Sequence, residues 1–170
     1  MNRSVGIFLV LFISLTITAQ NKFSVPILND QQKYQNAALL LNGSFLIQIS
    51  YGKSLGKSVE EIAIFAGDQL KSSWNKQGGF QGFVQNTLYM MLTIAPYGNI
   101  EILQQNDNEI RCIVKGLYGE LKEGGTIFNV TYDEYIRFLG KMFSEIGDSM
   151  HADYSQNITD DGLIFIISKV

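Results

Sequence analysis

The sequence has one cysteine (Cys112), one histidine (His151) and two prolines (Pro26 and Pro96) among 170 residues. A lone cysteine closes no internal disulfide, so packing must hold the fold. One cysteine and one histidine are too few for zinc, iron–sulfur or haem-attachment spacings, each of which needs several ligands. "TDDGL" at 159–163 lacks the alternating oxygen ligands of a calcium loop, and Asp160-Asp161-Gly162 reads as a turn. Neither metal nor cofactor is therefore expected. Basic clusters are missing too: 13 Lys and Arg stand against 16 Asp and Glu, and they are scattered. Nucleic acid and anionic membranes are poor partners for such a chain. Without repeats, low-complexity tracts or Pro-, Ser- or Gly-rich linkers, one compact unit is expected.

The one long apolar run lies at the start. In "MNRSVGIFLVLFISLTITAQ" a cation at Arg3 precedes 13 mostly apolar residues, Val5 to Ile17, and then Thr18-Ala19-Gln20. This is the order of a secretory signal, and the run falls short of the roughly 20 residues a membrane helix needs. Cleavage after Ala19, or failing that Gln20, would leave residues 20–170 as a single α+β domain in the periplasm or outside the cell. No stable membrane insertion is expected.

Periodicity organises the rest. Residues 31–50 are ambiguous: Tyr34, Ala38, Leu41, Phe45 and Ile49 make a helical stripe, while Phe45, Ile47, Ile49 and Tyr51 alternate as a strand would. The length and the Ala- and Leu-rich content favour helix. Ser58 with Glu61 forms a capping box that opens a second helix running to about Asn75. "QGGFQG" interrupts it, and a third helix follows over "FVQNTLYMMLTIA", stopping at Pro96. From Asn99 the period shortens to two, and Ile100 and Ile102, then Ile110, Cys112 and Val114, flank the polar turn 105–108, the mark of a β-hairpin. Thr131 with Glu134 caps a fourth helix whose apolar face runs through Tyr135, Phe138, Leu139, Met142, Phe143 and Ile146. The final run, Leu163 to Ile167, is apolar on both faces, as a central or helix-covered strand is. The reading is α+β: about four helices packed on a three- to four-stranded antiparallel sheet built from two hairpins.

"YGKSLGKSVEE", residues 51–61, holds two overlapping catalytic patterns. Gly52-Lys53-Ser54-Leu55-Gly56 matches the serine-hydrolase elbow, and Gly52 to Ser58 matches a phosphate-binding loop one residue short. The elbow needs a preceding strand and a parallel sheet, which the pattern does not supply. Asp148 and His151, its would-be partners, fall together at the end of one helix. Dropping a residue from a phosphate loop changes which amides converge, so Ser58 is better read as a helix cap. Cys112 with His151 is the remaining nucleophile and base pair, but a strand cysteine between Ile110 and Val114 reads as core. No catalytic residue is assigned; a hydrolase using Ser54 or Cys112 is the alternative.

The aromatics remain. Trp74, Phe80, Phe83 and Tyr89 flank the glycine break and could line an apolar cleft closed by the hairpin, with Arg111 and Lys115 meeting an anionic ligand group. The order of a capped helix ending in "SSWN", a hairpin, "VTYDEYIRFLGKMFSEIGDSM" and a terminal "DDGLIFIISK" resembles small α+β domains of the 4-vinyl reductase and 2-amino-thiazoline-4-carboxylate hydrolase-like groups, over residues 53–168. That resemblance implies a small-molecule-binding scaffold. The cysteine those groups carry near the final strand has no counterpart in "DGLIFII", and no catalytic residue is carried over. The functional expectation is an exported, non-catalytic protein that binds a small apolar or amphipathic ligand or a protein partner. A purely structural interaction module is a further alternative.

Overall fold

The computed structural model describes residues 27–74 and 76–170. The signal segment assigned to residues 1–19 lies outside the described residues.

The ambiguous stretch is helical. α1 spans Asp30–Ser54 and opens on a capping box in which Asn29 accepts from Gln32 N at 2.8 Å while Gln32 Oε1 accepts from Asn29 N at 3.0 Å. Ala38, Phe45, Leu46 and Ile49 turn inward on its buried side. α2, Val59–Leu70, starts at the predicted box: Glu61 N donates to Ser58 Oγ at 3.1 Å, and Ser58 N donates to Glu61 Oε2 at 2.8 Å. It ends five residues before Asn75, because Ser72 and Ser73 turn their hydroxyls back onto the carbonyls of Gln69 and Leu70 and compete with helical bonding. A 3₁₀ turn at Lys76–Gly78 leads into α3, Gly79–Ile94, which begins before Phe83 because glycines are tolerated in a first turn and Phe80 packs on the core.

β1 (Asn99–Gln105) and β2 (Glu109–Lys115) pair antiparallel around a turn in which Asn106 Oδ1 accepts from Asn108 N at 2.8 Å. α5, Tyr132–Asp148, is capped by Thr131 and Glu134 as its sequence indicates. β5 (Ala152–Thr159) and β6 (Gly162–Lys169) form the second hairpin, joined by Asp160-Asp161. The four-stranded order is β1-β2-β6-β5, so the strand that is apolar on both faces is indeed central. Leu163, Phe165 and Ile167 face the helices and are buried, while Ile164 and Ile166 face outward and are half-buried.

Between the hairpin and α5 lies structure that periodicity did not reveal. The helix α4, Gly119–Gly124, is followed by β3 (Thr126–Ile127) and β4 (Val130–Thr131), a two-stranded ladder. The helices therefore number five among the described residues, not about four, and a small second sheet accompanies the main one. The β3–β4 turn residues Phe128 (φ 51°) and Asn129 (φ 60°) are both left-handed, the requirement of a type I′ turn usually met by Asn-Gly.

The core lies between the inner sheet face, α5 and α3. A chain of rings crosses it: Phe83 to Trp74 at 5.4 Å, Trp74 to Phe143 at 6.2 Å, Phe143 to Tyr154 at 5.2 Å and Tyr154 to Phe165 at 5.9 Å between centroids. One buried polar link fixes the three long helices. Tyr135 Oη donates to Asn42 Oδ1 at 2.6 Å, and Asn42 Nδ2 donates to the Ile94 carbonyl at 3.0 Å, joining α5, α1 and α3. Each member has its partner, which is what makes polar groups tolerable there.

Candidate functional site

The six residues read as a cleft do not come together. Trp74 and Phe83 are buried links of the ring chain, and Phe80 packs on the same core. Tyr89 is exposed on α3, where Gln85 Nε2 donates to its hydroxyl at 3.4 Å. Arg111 lies on the outer sheet face, over a dent of about 150 Å3 shared with Ser155, Asn157, Ile164 and Ile166. Lys115 shares that face and pairs with Glu101 at 2.9 Å. Strand alternation explains the separation: residues opposite in side to Cys112 point away from the helices, so the sheet itself stands between the cations and the aromatics.

The nucleophile candidates are committed elsewhere. Ser54, in the last turn of α1, donates its hydroxyl to the Tyr51 carbonyl at 2.7 Å. Cys112 is fully buried, and burial pushes its thiol up to about 11, far from the low value a reactive thiolate needs. His151 is exposed in the turn between α5 and β5, with φ 57°. The loop amides that a phosphate would need are also in use. Gly56 N donates to Lys53 O and Lys57 N to Gly52 O, each at 3.0 Å, with Gly56 left-handed at φ 77°. That is a Schellman C-terminus for α1, the structural use of a glycine at this point. Lys53 bridges to Glu134 at 2.6 Å and to the Asn129 carbonyl at 2.8 Å. Burial alone would raise the Glu134 carboxyl, but the bonds from Lys53 and from the Thr131 backbone, with the Lys53 charge, outweigh it and hold the group below its usual value. Among the described residues, no three His, Cys, Asp or Glu side chains stand together as a metal site.

What the fold does leave open is a groove of about 970 Å3 between α1 and α2. The two helices approach each other closely at Gly52 and Ile62, next to their connecting turn. α2 packs extensively along α5 and only sparingly on α1, so an apolar channel remains, bounded by Leu41, Phe45 and Leu55 on one side and Ile62, Phe65 and Leu70 on the other. Its polar rim is internally neutralised, by Lys57 with Glu61 at 3.1 Å and by Asp68 with Lys71. Serine and lysine bonding holds the Glu61 carboxyl below its usual value, the backbone bond from Ser58 contributing most. The apolar lining with closed-off charges suits a hydrocarbon surface better than an ion.

The sequence carries a signal for this groove in the first helix. From Tyr34 to Gly52 the chain runs 19 residues without a charge, and its apolar residues occupy more than one side of the helix. A helix apolar over most of its circumference needs cover on more than one side. No helix among the described residues is long and apolar enough to cross a membrane. Neither a model of a known protein family nor a curated protein matches this chain.

Proposed function

We propose that this is an exported, non-catalytic binding protein that takes an apolar or amphipathic ligand in the α1/α2 groove. The observation that carries the reading is the groove itself, whose volume falls within the roughly 300–1,000 Å3 of ligand sites and whose walls are apolar side chains with few polar atoms. The hydrolase alternative loses support because Ser54 bonds within its own helix and the Cys112 thiol is buried.

The test is a titration of the purified chain with cis-parinaric acid, a fluorescent long-chain fatty acid, against Phe65→Glu and Ile64→Glu, two exposed groove residues. Saturable binding that either variant weakens at least roughly tenfold supports the reading. Binding that neither variant alters overturns it. Covalent labelling by a fluorophosphonate or by iodoacetamide at neutral pH, abolished by Ser54→Ala or Cys112→Ser, would return the hydrolase reading.

A further inference from the structure

α1 carries a second apolar stripe on the side away from the core. Residues turn about 100° apiece around a helix, so Leu40, Ile47 and Tyr51 fall within about 40° of one another, opposite Ala38, Phe45 and Ile49. They are 73%, 56% and 66% exposed, and Leu55, 62% exposed, continues the stripe toward the groove. Because nothing from Tyr34 to Gly52 is charged, two such faces meet without like-charge repulsion.

We propose that a second copy of this chain covers the stripe, its α1 lying antiparallel to the first about a two-fold axis through Ile47. In that register Ile47 meets its own copy, and Leu40 meets Leu55 of the second copy. Tyr51 falls against Gly43 and Ser44 of the second copy, a large side chain over two small ones. There is room for it: a Cβ built on Gly43 would meet nothing within 4 Å. The reverse pairing through α2 is poorer, because an antiparallel α2 contact centred on Phe65 brings Glu61 near the second copy's Asp68 and Lys57 near its Lys71.

The area is that of a small specific interface. Covering the exposed parts of Leu40, Ile47, Tyr51 and Leu55 removes roughly 250–420 Å2 of apolar surface per copy, taking whole aliphatic and aromatic side chains at their usual buried areas. One side of an interface of about 1,000 Å2 in all holds about 280–330 Å2 of apolar area. The arrangement also completes the groove, since Tyr51 and Leu55 belong to both surfaces and the second copy's helix would wall the open mouth. The centre of the contact lies outside the groove, because Ile47 does not line it, so Ile47→Glu tests the dimer apart from groove binding.

The test is sedimentation equilibrium of the purified chain and of Ile47→Glu, with Ile47→Cys, Leu40→Cys and Leu40→Cys/Leu55→Cys cross-linked by a short bismaleimide. The expected result is a dimer whose dissociation constant rises on the order of a hundredfold or more in Ile47→Glu, which alters both copies at the centre. Cross-linking is expected at Ile47→Cys and in the double variant but not at Leu40→Cys alone, which would stand about 21 Å from its copy, about fourteen residues of helix rise. The wild-type chain is the blank, because Cys112 is buried. If Ile47→Glu does not fold, the cross-linking pattern decides. A monomer at every concentration, a dimer indifferent to Ile47→Glu, or equal cross-linking at Leu40→Cys alone would overturn the proposal.

Discussion

A Cβ on Gly52 of α1 would lie 2.4 Å from Cδ1 and 2.5 Å from Cγ1 of Ile62 of α2, so the absence of a side chain at 52 sets how closely the two helices meet. Alanine favours a helix by about 1 kcal/mol over glycine, but here the clash with a branched side chain outweighs that gain. Gly52→Ala is expected to lower stability by roughly 1–3 kcal/mol, read by urea denaturation, and to weaken groove binding as α2 is pushed aside. Gly43→Ala, with open space around it within one chain, is expected to stabilise the monomer by a few tenths to about 1 kcal/mol.

Tyr135 and Asn42 supply the only side-chain bond between α5 and α1 that is fully buried among the described residues. Tyr135→Phe keeps the ring and leaves Asn42 Oδ1 without its donor, so the expected loss is about 1–3 kcal/mol. Burial, with the neighbouring Tyr118 and Tyr132, raises the Tyr135 hydroxyl well above its ordinary value, so it is to remain un-ionised in alkaline spectrophotometric titration until the chain unfolds.

The Lys53–Glu134 pair makes stability depend on pH with a definite sign. The folded carboxyl is held below its ordinary value of 4.5, so its contribution is full above that value and is lost as pH falls through the lower folded one. Glu134→Gln keeps an acceptor for Thr131 N, as Gln32 does for Asn29 N at the start of α1, but removes the charge that Lys53 meets, and is expected to cost about 0.5–1 kcal/mol near neutrality. Thermal melts of the two proteins are to converge as pH is taken well below 4.5.

Cys112 is expected to resist modification. With its thiol at about 11, roughly one molecule in ten thousand carries the thiolate at pH 7. Iodoacetamide labelling is to be slow in the folded protein and fast in denaturant. Cys112→Ser places a hydroxyl among apolar side chains and should lower the denaturation midpoint, by about 1–3 kcal/mol in free energy.

Local chemistry made most of the architecture legible. The boxes Ser58/Glu61 and Thr131/Glu134 marked two helix starts correctly because reciprocal capping is a contact within four residues. The period-two runs marked β1, β2 and β6, while β5, with its mostly polar sequence, showed only as the partner a hairpin requires, and the doubly apolar β6 pointed to a central or helix-covered strand. Segment 116–131 was opaque because its turns use Tyr118, Phe128 and Asn129 in left-handed conformations where glycine would have announced them. Tyr118 packs its ring on Tyr135, and the Asn129 carbonyl accepts from Lys53, contacts that lie far away in the sequence.

The candidate site was less legible. Aromatic residues near a glycine break look alike whether they line a cleft or fill a core, and Trp74 and Phe83 fill the core. Alternation puts Arg111 and Lys115 on the strand face opposite Cys112, but which of the two faces meets the aromatics is a tertiary outcome that alternation does not encode. The groove depends on how far α2 leans from α1 toward α5, a packing outcome governed by contacts such as Gly67 against Glu145 and Met142.

The central position of β6 bears on the order of events during synthesis. β1 and β2 can close as a hairpin early, yet neither can join the main sheet until residues 162–169 have been made, and the pairing of β2 with β6 spans some fifty residues. Long-range pairing of this kind is slow relative to helix and hairpin formation. The sheet therefore cannot assemble while its middle strand is still to be translated, and β1 and β2 must wait as a hairpin until it is.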